Sequence, residues 1–133
     1  MIIPNSLEEL AGYVETGKSV FFFTAGWCGD CRFIKPQMPE IENDFSDWQF
    51  IEVDRDKYID VAAEWNIFGI PSFVVIQDGK ELGRLVNKDR KTKQEIESFL
   101  ESVTKGWHLL GGVKMNQEYK NILVGIDGSE QAL

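Results

Sequence analysis

The N-terminal part of the chain shows a helical pattern of hydrophobic residues followed by an extended one. Ser6 and Glu9 fit a capping box, and apolar residues recur behind them at helical spacing as far as Val14. This pattern predicts a first helix that ends at Gly17. Residues 19–24 form an apolar run, which is typical of a central parallel strand buried on both faces.

A longer helical pattern and a second strand follow. Residues 28–45 carry apolar side chains one turn apart, such as Ile34 and Met38, and predict a long helix. Pro36 lies inside this segment. Because a proline in a helix interior removes a hydrogen bond and clashes with the preceding turn, we expect a kink there. Residues 49–54 predict a second strand.

The remaining pattern completes an alternation of strands and helices. Residues 57–65 predict a short helix. Its inward residues are expected to be Ile59, Ala62 and Ala63. Residues 72–77 predict a third strand, Asp78-Gly79 indicates a hairpin, and residues 81–86 are expected to return antiparallel. A second capping box at residues 92–95 starts the last predicted helix. The alternation of strands and helices predicts an α/β protein.

Composition and charge narrow the class of protein. A chain of 133 residues with 43% hydrophobic residues is long enough for one ordinary core. Its formal charge of −8 makes nucleic acid and anionic membranes poor partners, since both favour basic patches. Residues 1–5 lack the pattern of a signal peptide, and no apolar run approaches the roughly 18 residues of a membrane span. We therefore expect a cytoplasmic protein.

The two cysteines of the chain, Cys28 and Cys31, lie between the first strand and the long helix. The start of a helix favours an anion, so Cys28 is expected to ionise readily and act as the nucleophile, with Cys31 as the resolving thiol. Two structural thiols or half of a zinc site are the alternatives. A structural zinc site usually needs four ligands, and only His108 remains as a further soft ligand. We therefore expect no metal and no cofactor.

The residues around the two cysteines carry a family resemblance. The motif Trp27-Cys28-Gly29-x-Cys31, followed by Pro36 and by Ile70-Pro71-Ser72, resembles the thioredoxin family over about residues 1–104. This resemblance implies the thioredoxin fold, with a central mixed sheet of four to five strands flanked by helices. It also implies a thiol–disulfide oxidoreductase that reduces protein disulfides through a redox-active disulfide.

The same resemblance implies roles for individual residues and for partners. In the family, the peptide bond before the residue equivalent to Pro71 is cis and lies beside the dithiol. The implied substrate-binding residues are Trp27, Gly29, Asp30, Ile70 and Pro71. The implied partners are disulfide-bearing client proteins and a flavin-dependent thioredoxin reductase that uses NADPH.

Three residues depart from the family pattern. Asp30 stands where typical thioredoxins carry proline, and its charge is expected to disfavour the thiolate of Cys28 and make the couple more reducing. Loss of the rigid proline loosens the turn and is expected to make the couple less reducing. Phe22 takes the position of the family's buried Asp, and Phe50 that of its usual Lys partner. We expect an apolar contact between these two rings, at the cost of a local base for Cys31.

Residues 105–133 are expected to form a C-terminal extension outside a thioredoxin-like domain of residues 1–104. Residues 115–130 resemble the opening strand and loop of universal stress proteins. That family's phosphate loop lies far downstream, so we do not expect the segment to bind a nucleotide. A gene fusion, a read-through or a misplaced gene boundary would each explain it. The apolar run at residues 122–126 is expected to pair with a strand edge, with self-association slightly favoured over an intramolecular contact.

Two functions of different class remain open at this point. The first is the thiol–disulfide oxidoreductase. The second is a thioredoxin-like binding or scaffold module, with a vestigial or regulatory dithiol and a tail that docks a partner. The intact Trp-Cys-Gly-x-Cys and Ile-Pro motifs favour the enzyme, whereas Phe22 and residues 105–133 favour the module.

Overall fold

A mixed sheet forms the centre of the fold. Within residues 1–86 and 91–104, which the computed structural model describes, the strands are β1 (Lys18–Thr24), β2 (Gln49–Asp54), β3 (Ser72–Gln77) and β4 (Lys80–Leu85). Their spatial order is β2-β1-β3-β4, with β1 parallel to β2 and antiparallel to β3, and β4 antiparallel to β3. The predicted α/β class and the four-stranded form of the mixed sheet are confirmed.

Helices pack on both sides of this sheet. In the described residues they are α1 (Leu7–Glu15), α2 (Gly29–Ile34), α3 (Met38–Asp44), α4 (Ile59–Glu64) and α5 (Lys93–Thr104). Both predicted capping residues accept a backbone hydrogen bond: Ser6 Oγ from Glu9 and Thr92 Oγ1 from Glu95, each at 3.1 Å. The return bond of the first box is shifted by one residue, because Glu9 Oε1 accepts from the N–H of Asn5 at 2.9 Å.

The helix predicted over residues 28–45 is divided at Pro36. A 3₁₀ turn, Lys35–Gln37, separates α2 from α3. Proline has no N–H, and its ring clashes with the carbonyl four residues earlier, so α-helical hydrogen bonding cannot pass through it. The predicted kink is therefore a short change of helix type.

The buried face of α4 differs from the predicted one. Ile59 is 50% exposed and Ala63 is also exposed, so the prediction for these two residues is wrong. The buried residues of the helix and its two ends are Tyr58, Val61, Ala62 and Trp65. They follow the spacing i, i+3, i+4, i+7 of one helical face. The two large aromatic rings select this face, because their burial removes far more apolar area from water than that of one isoleucine and one alanine.

The predicted hairpin joins β3 to β4. Asp78 and Gly79 have φ angles of 50° and 84°, as both central positions of a type I′ turn require. The turn is anchored to the connection between α1 and β1. The N–H of Gly17 donates to Asp78 Oδ1 at 2.7 Å, and the N–H of Asp78 donates to the Gly17 carbonyl at 2.9 Å.

Successive phenylalanines of β1 point to opposite faces of the sheet and enter two hydrophobic cores. Phe21 and Phe23 pack with Trp65 in one core, whereas Phe22 and Phe50 belong to the other. The stacking partner of Phe22 is Phe73, directly opposite on β3, with ring centroids 5.0 Å apart. Phe22 and Phe50 share this core as expected, but the ring stacked on Phe22 is Phe73 of β3, and Phe50 lies opposite Val20.

Residues 87–90 and 105–133 lie outside the described residues. The stress-protein-like segment and the predicted tail contact therefore have no structural test here. Among the helices that are described, none has both the length and the apolar character needed to cross a membrane.

Candidate active site

Cys28 and Cys31 form a disulfide at the start of α2, with Cα atoms 5.2 Å apart. Cys28 is the N-cap of this helix, and its Sγ accepts a hydrogen bond from the Cys31 N–H at 3.1 Å. A turn after β1 brings it there, since the Cys28 N–H donates to the Ala25 carbonyl at 3.1 Å. The predicted strand, turn and helix around the dithiol are confirmed. The local geometry stabilises negative charge on Cys28, because its sulfur faces helix N–H groups.

The two cysteine residues differ slightly in exposure. Cys28 is 5% exposed and Cys31 is 1% exposed. Both residues pack against the core that contains Phe21 and Trp65. Cys28 is therefore the less deeply buried of the two residues.

The loop between α4 and β3 reaches Cys28 from the same side of the sheet. The Ile70–Pro71 peptide bond is cis, as predicted, and both residues are buried. The Ile70 carbonyl oxygen lies 4.0 Å from Cys28 Sγ. Ser72 Oγ donates to the Gly69 carbonyl, which fixes the loop where β3 begins. The fold thus brings the Cys28–Cys31 motif next to the Ile70–Pro71 motif, although the two are far apart in sequence.

Trp27 stands beside the dithiol with 61% of its surface exposed. Its Nε1 donates to Asp56 Oδ2 at 2.8 Å, and the Arg55 guanidinium lies 6.0 Å from the ring centroid. Asp54 Oδ1 accepts from the N–H groups of Asp56 and Lys57, which orders the turn after β2. Sequence reasoning missed Arg55 and Asp56. Charged residues directly after a predicted parallel strand, at the edge of the sheet where the dithiol lies, were the available signal.

Gly29 and Asp30 form the turn between the cysteines. Gly29 is exposed, and a Cβ built there meets no atom within 4 Å, so close packing does not require glycine at this position. Asp30 is half-buried in the first turn of α2, where a carboxylate is favoured by the helix dipole.

A carboxylate lies on the strand next to Phe22. The register of β1 and β2 places Glu52 opposite Phe22, and Glu52 Oε2 binds Lys35 Nζ at 2.9 Å. Lys35 follows Cys31 by about one helical turn. The Glu52 carboxylate beside Phe22 is thus paired with Lys35, the residue directly after the helix that carries the dithiol.

Metal ligands do not converge in the described part of the chain. There, no group of three or more His, Cys, Asp or Glu side chains is placed to hold an ion. His108, the further soft ligand considered from the sequence, lies outside the described residues.

Comparison with known proteins agrees with this geometry. The thioredoxin family model matches residues 6–102. The chain is 43% identical to thioredoxin H-type 1 of Nicotiana tabacum over 83 residues, which are 62% of this chain and 66% of that protein. It is 41% identical to the TPR repeat-containing thioredoxin TDX of Arabidopsis thaliana over 96 residues, which are 68% of this chain and 25% of that protein.

Solved structures show the same fold. Thioredoxin from Trypanosoma brucei brucei superposes with a TM-score of 0.70 at 24% identity, over 79% of this chain and 91% of that structure. The chain spans between a quarter and about two thirds of the length of the two relatives above. The family model, however, covers well over half of the chain, and its span includes both cysteines and the cis-proline loop. The chain belongs to the thioredoxin family.

Proposed function

We propose that this protein is a thiol–disulfide oxidoreductase that reduces disulfides of client proteins. The observation that carries the proposal is the position of Cys28 Sγ, which caps α2 and lies 4.0 Å from the Ile70 carbonyl at the cis-proline loop. A helix N-terminus favours a thiolate, and a thiolate is the attacking species in disulfide exchange. The neighbouring backbone offers an acceptor to an extended client segment.

The reaction proceeds by two exchanges of sulfur partners. The Cys28 thiolate attacks one sulfur of the client disulfide, forms a mixed disulfide and releases the other client sulfur as a thiolate, which takes up a proton. Cys31, after loss of its proton, then attacks Cys28 Sγ and releases the second client thiol. The client gains two electrons and two protons, and the Cys28–Cys31 disulfide forms in the protein.

Recognition and recharging complete the proposal. Trp27, Gly29 and Asp30 on one side, and Ile70 with Pro71 on the other, form the client-binding surface. A thioredoxin reductase that uses flavin and NADPH returns the disulfide to the dithiol, so the chain itself needs no cofactor. We place the protein in the cytoplasm, where thiols are kept reduced.

Reduction of insulin by dithiothreitol tests the activity. The full chain is expected to accelerate it, and Cys28→Ser is expected to abolish the acceleration. Cys31→Ser is expected to retain the attack but accumulate mixed disulfides on Cys28, which mass spectrometry of trapped clients identifies. A full chain that binds clients but does not accelerate insulin reduction would favour the binding module instead.

Alkylation separates the roles of the two thiols. In the reduced full chain at neutral pH, iodoacetamide is expected to modify Cys28 first, because it caps α2 and is the more exposed of the two residues. Peptide mapping after brief labelling measures this order. Preferential modification of Cys31 would reverse the assigned roles.

A further inference from the structure

Phe68 is the most exposed large hydrophobic residue in the described part of the chain, at 69%. A single exposed apolar side chain is common on protein surfaces and carries no inference by itself. The position of Phe68 in the loop that reaches the dithiol is what makes it informative.

The loop is fixed at both ends, so the position of Phe68 is fixed as well. After Asn66, in the left-handed region at φ 59°, Ile67 turns into the core and its N–H donates to the Ala62 carbonyl at 2.8 Å. Gly69 is held by Ser72 at the other end of the loop. With inward neighbours tied down on each side, the backbone directs Phe68 to solvent.

Chain geometry places Phe68 close to the reacting sulfur. The Ile70 carbonyl is 4.0 Å from Cys28 Sγ, and two residues of chain span at most about 7 Å. An extended client rises about 3.3 Å per residue. The Phe68 ring is therefore within reach of side chains one to three residues from a client cysteine bound at Cys28.

The surroundings of Phe68 favour an apolar client side chain. Residues 66–71 carry no charged side chain, in a chain where 27% of residues are charged. On the other flank of the dithiol, Trp27 is held by Asp56, so the second aromatic surface is also fixed. Cys28 is only 5% exposed, so a client sulfur reaches it only if the client residues beside that sulfur contact the surface around Cys28.

We propose that Phe68 is a specificity residue, which selects client segments with an apolar side chain within about three residues of the cysteine under attack. This inference rests on the proposed disulfide reductase activity and names the class of client. Apolar area on Phe68 and on the client is removed from water only in the encounter that leads to attack. The rate constant for attack therefore depends on the residue beside the client cysteine.

The test uses two symmetrical peptide dimers, each joined by one disulfide. The peptides differ only in the residues on both sides of the cysteine, which are leucine in one dimer and serine in the other. Pre-reduced full chain is mixed with each dimer, the reaction is quenched with acid, and released peptide thiol is quantified. Each rate constant is divided by that of dithiothreitol with the same dimer, which removes the intrinsic reactivity of the disulfide.

The unchanged protein is expected to attack the leucine dimer about fivefold faster than the serine dimer after this correction. Phe68→Ser is expected to lower this ratio to about twofold, since Trp27 remains as an apolar surface, while the rate with the serine dimer stays the same. Phe68→Leu is expected to keep most of the preference. Ile3→Ser is the matched control, since Ile3 is 64% exposed and follows the residue that pairs with β2, away from β3.

Two results would overturn the inference. Phe68→Ser could keep the full preference, or it could slow both dimers equally, which would make Phe68 a structural part of the loop. A different result, in which the unchanged protein reduces neither dimer, would overturn the proposed reductase activity itself and this inference with it.

Discussion

Arg84 donates a hydrogen bond from Nη1 to the backbone carbonyl of Trp65 at 2.6 Å and so joins edge strand β4 to the end of α4. The same guanidinium binds both carboxylate oxygens of Glu81, at 2.7 and 2.9 Å. Because the loop with Ile70 begins just after Trp65, this contact holds the start of the segment that reaches Cys28.

Arg84→Met is expected to lower the free energy of unfolding by about 2 kcal/mol, because it removes the bidentate partner of a buried carboxylate. The effect is smaller than for a fully buried pair, since the Arg84 side chain is 27% exposed. Urea unfolding measures it. The double variant Arg84→Met with Glu81→Leu is expected to regain much of the loss. If the losses of the two single variants simply add in the double variant, the two side chains are not coupled.

Asp30→Pro is expected to raise the reduction potential by about 30 mV, which corresponds to about 1.4 kcal/mol for a two-electron couple. The reason is removal of a negative charge close to the thiolate of Cys28. Asp30→Asn is the matched control, because it removes the charge and keeps a flexible backbone. Equilibration with glutathione measures both potentials. An unchanged or lower potential in the proline variant, together with a rise in Asp30→Asn, would show that turn rigidity outweighs the charge.

Phe22→Asp is expected to lower the free energy of unfolding by at least about 3 kcal/mol and to bring no gain in turnover at neutral pH. Phe22 is fully buried and stacked on Phe73, and burial would raise the pKa of the introduced carboxyl. The variant would therefore lose further stability as pH rises. Phe22→Leu, the apolar control, is expected to lose less than about 1.5 kcal/mol. Faster insulin reduction with an unchanged melting temperature would show that this position lacks only a base.

Glu97 gives the fold a pH-dependent contact between α3 and α5. A hydrogen bond with Asp44, then burial and the charge of Asp44, raise the pKa of Glu97, and Lys93 opposes them. Lys93 Nζ lies 3.4 Å from Glu97 Oε2 and 3.7 Å from Glu40 Oε1. The pKa of Glu97 is higher in the folded state than in the unfolded state. Its contribution to stability is therefore complete below the unfolded-state pKa and is lost as pH rises through the folded-state pKa.

Glu97→Gln is therefore expected to stabilise the protein at pH 7 and to flatten the change of stability between acid and neutral pH. The gain is expected to stay below about 1 kcal/mol, since the side chain is partly exposed and screened. Thermal unfolding across that pH range measures both effects. Lys93→Met is expected to act in the opposite direction at pH 7. A lower stability of Glu97→Gln at neutral pH would mean that the ion pair with Lys93 outweighs the repulsion from Asp44.

Deletion of residues 105–133 is expected to leave insulin reduction nearly unchanged. Within the described residues the last helix ends at Thr104, and its buried residues Ile96 and Leu100 belong to the core that contains Phe22. Insulin turnover and the melting temperature measure the outcome, and sedimentation of the full and shortened chains tests self-association through the tail. Loss of folding in the shortened chain would move the domain boundary beyond residue 104.

Local signals were enough to predict much of this protein. Caps at Ser6 and Thr92, the hairpin at Asp78-Gly79 and the helix break at Pro36 all depend on the chemistry of a few adjacent residues. The position of Cys28 at a helix start and the cis bond before Pro71 were likewise predicted from short motifs and the family resemblance.

The tertiary structure decided what depends on distant partners. The hydrogen bond from Trp27 to Asp56 and the aromatic face of α4 follow from how separate segments meet, so no local pattern contains them. No local pattern marks Phe68, which is exposed beside a buried Ile67. Local patterns were sufficient to locate the two cysteines at the start of a helix and to predict that Pro36 interrupts this helix. The packing of loops around those thiols decided which surfaces a client can touch, because the same loop residue faces the core or the solvent according to contacts made elsewhere in the chain.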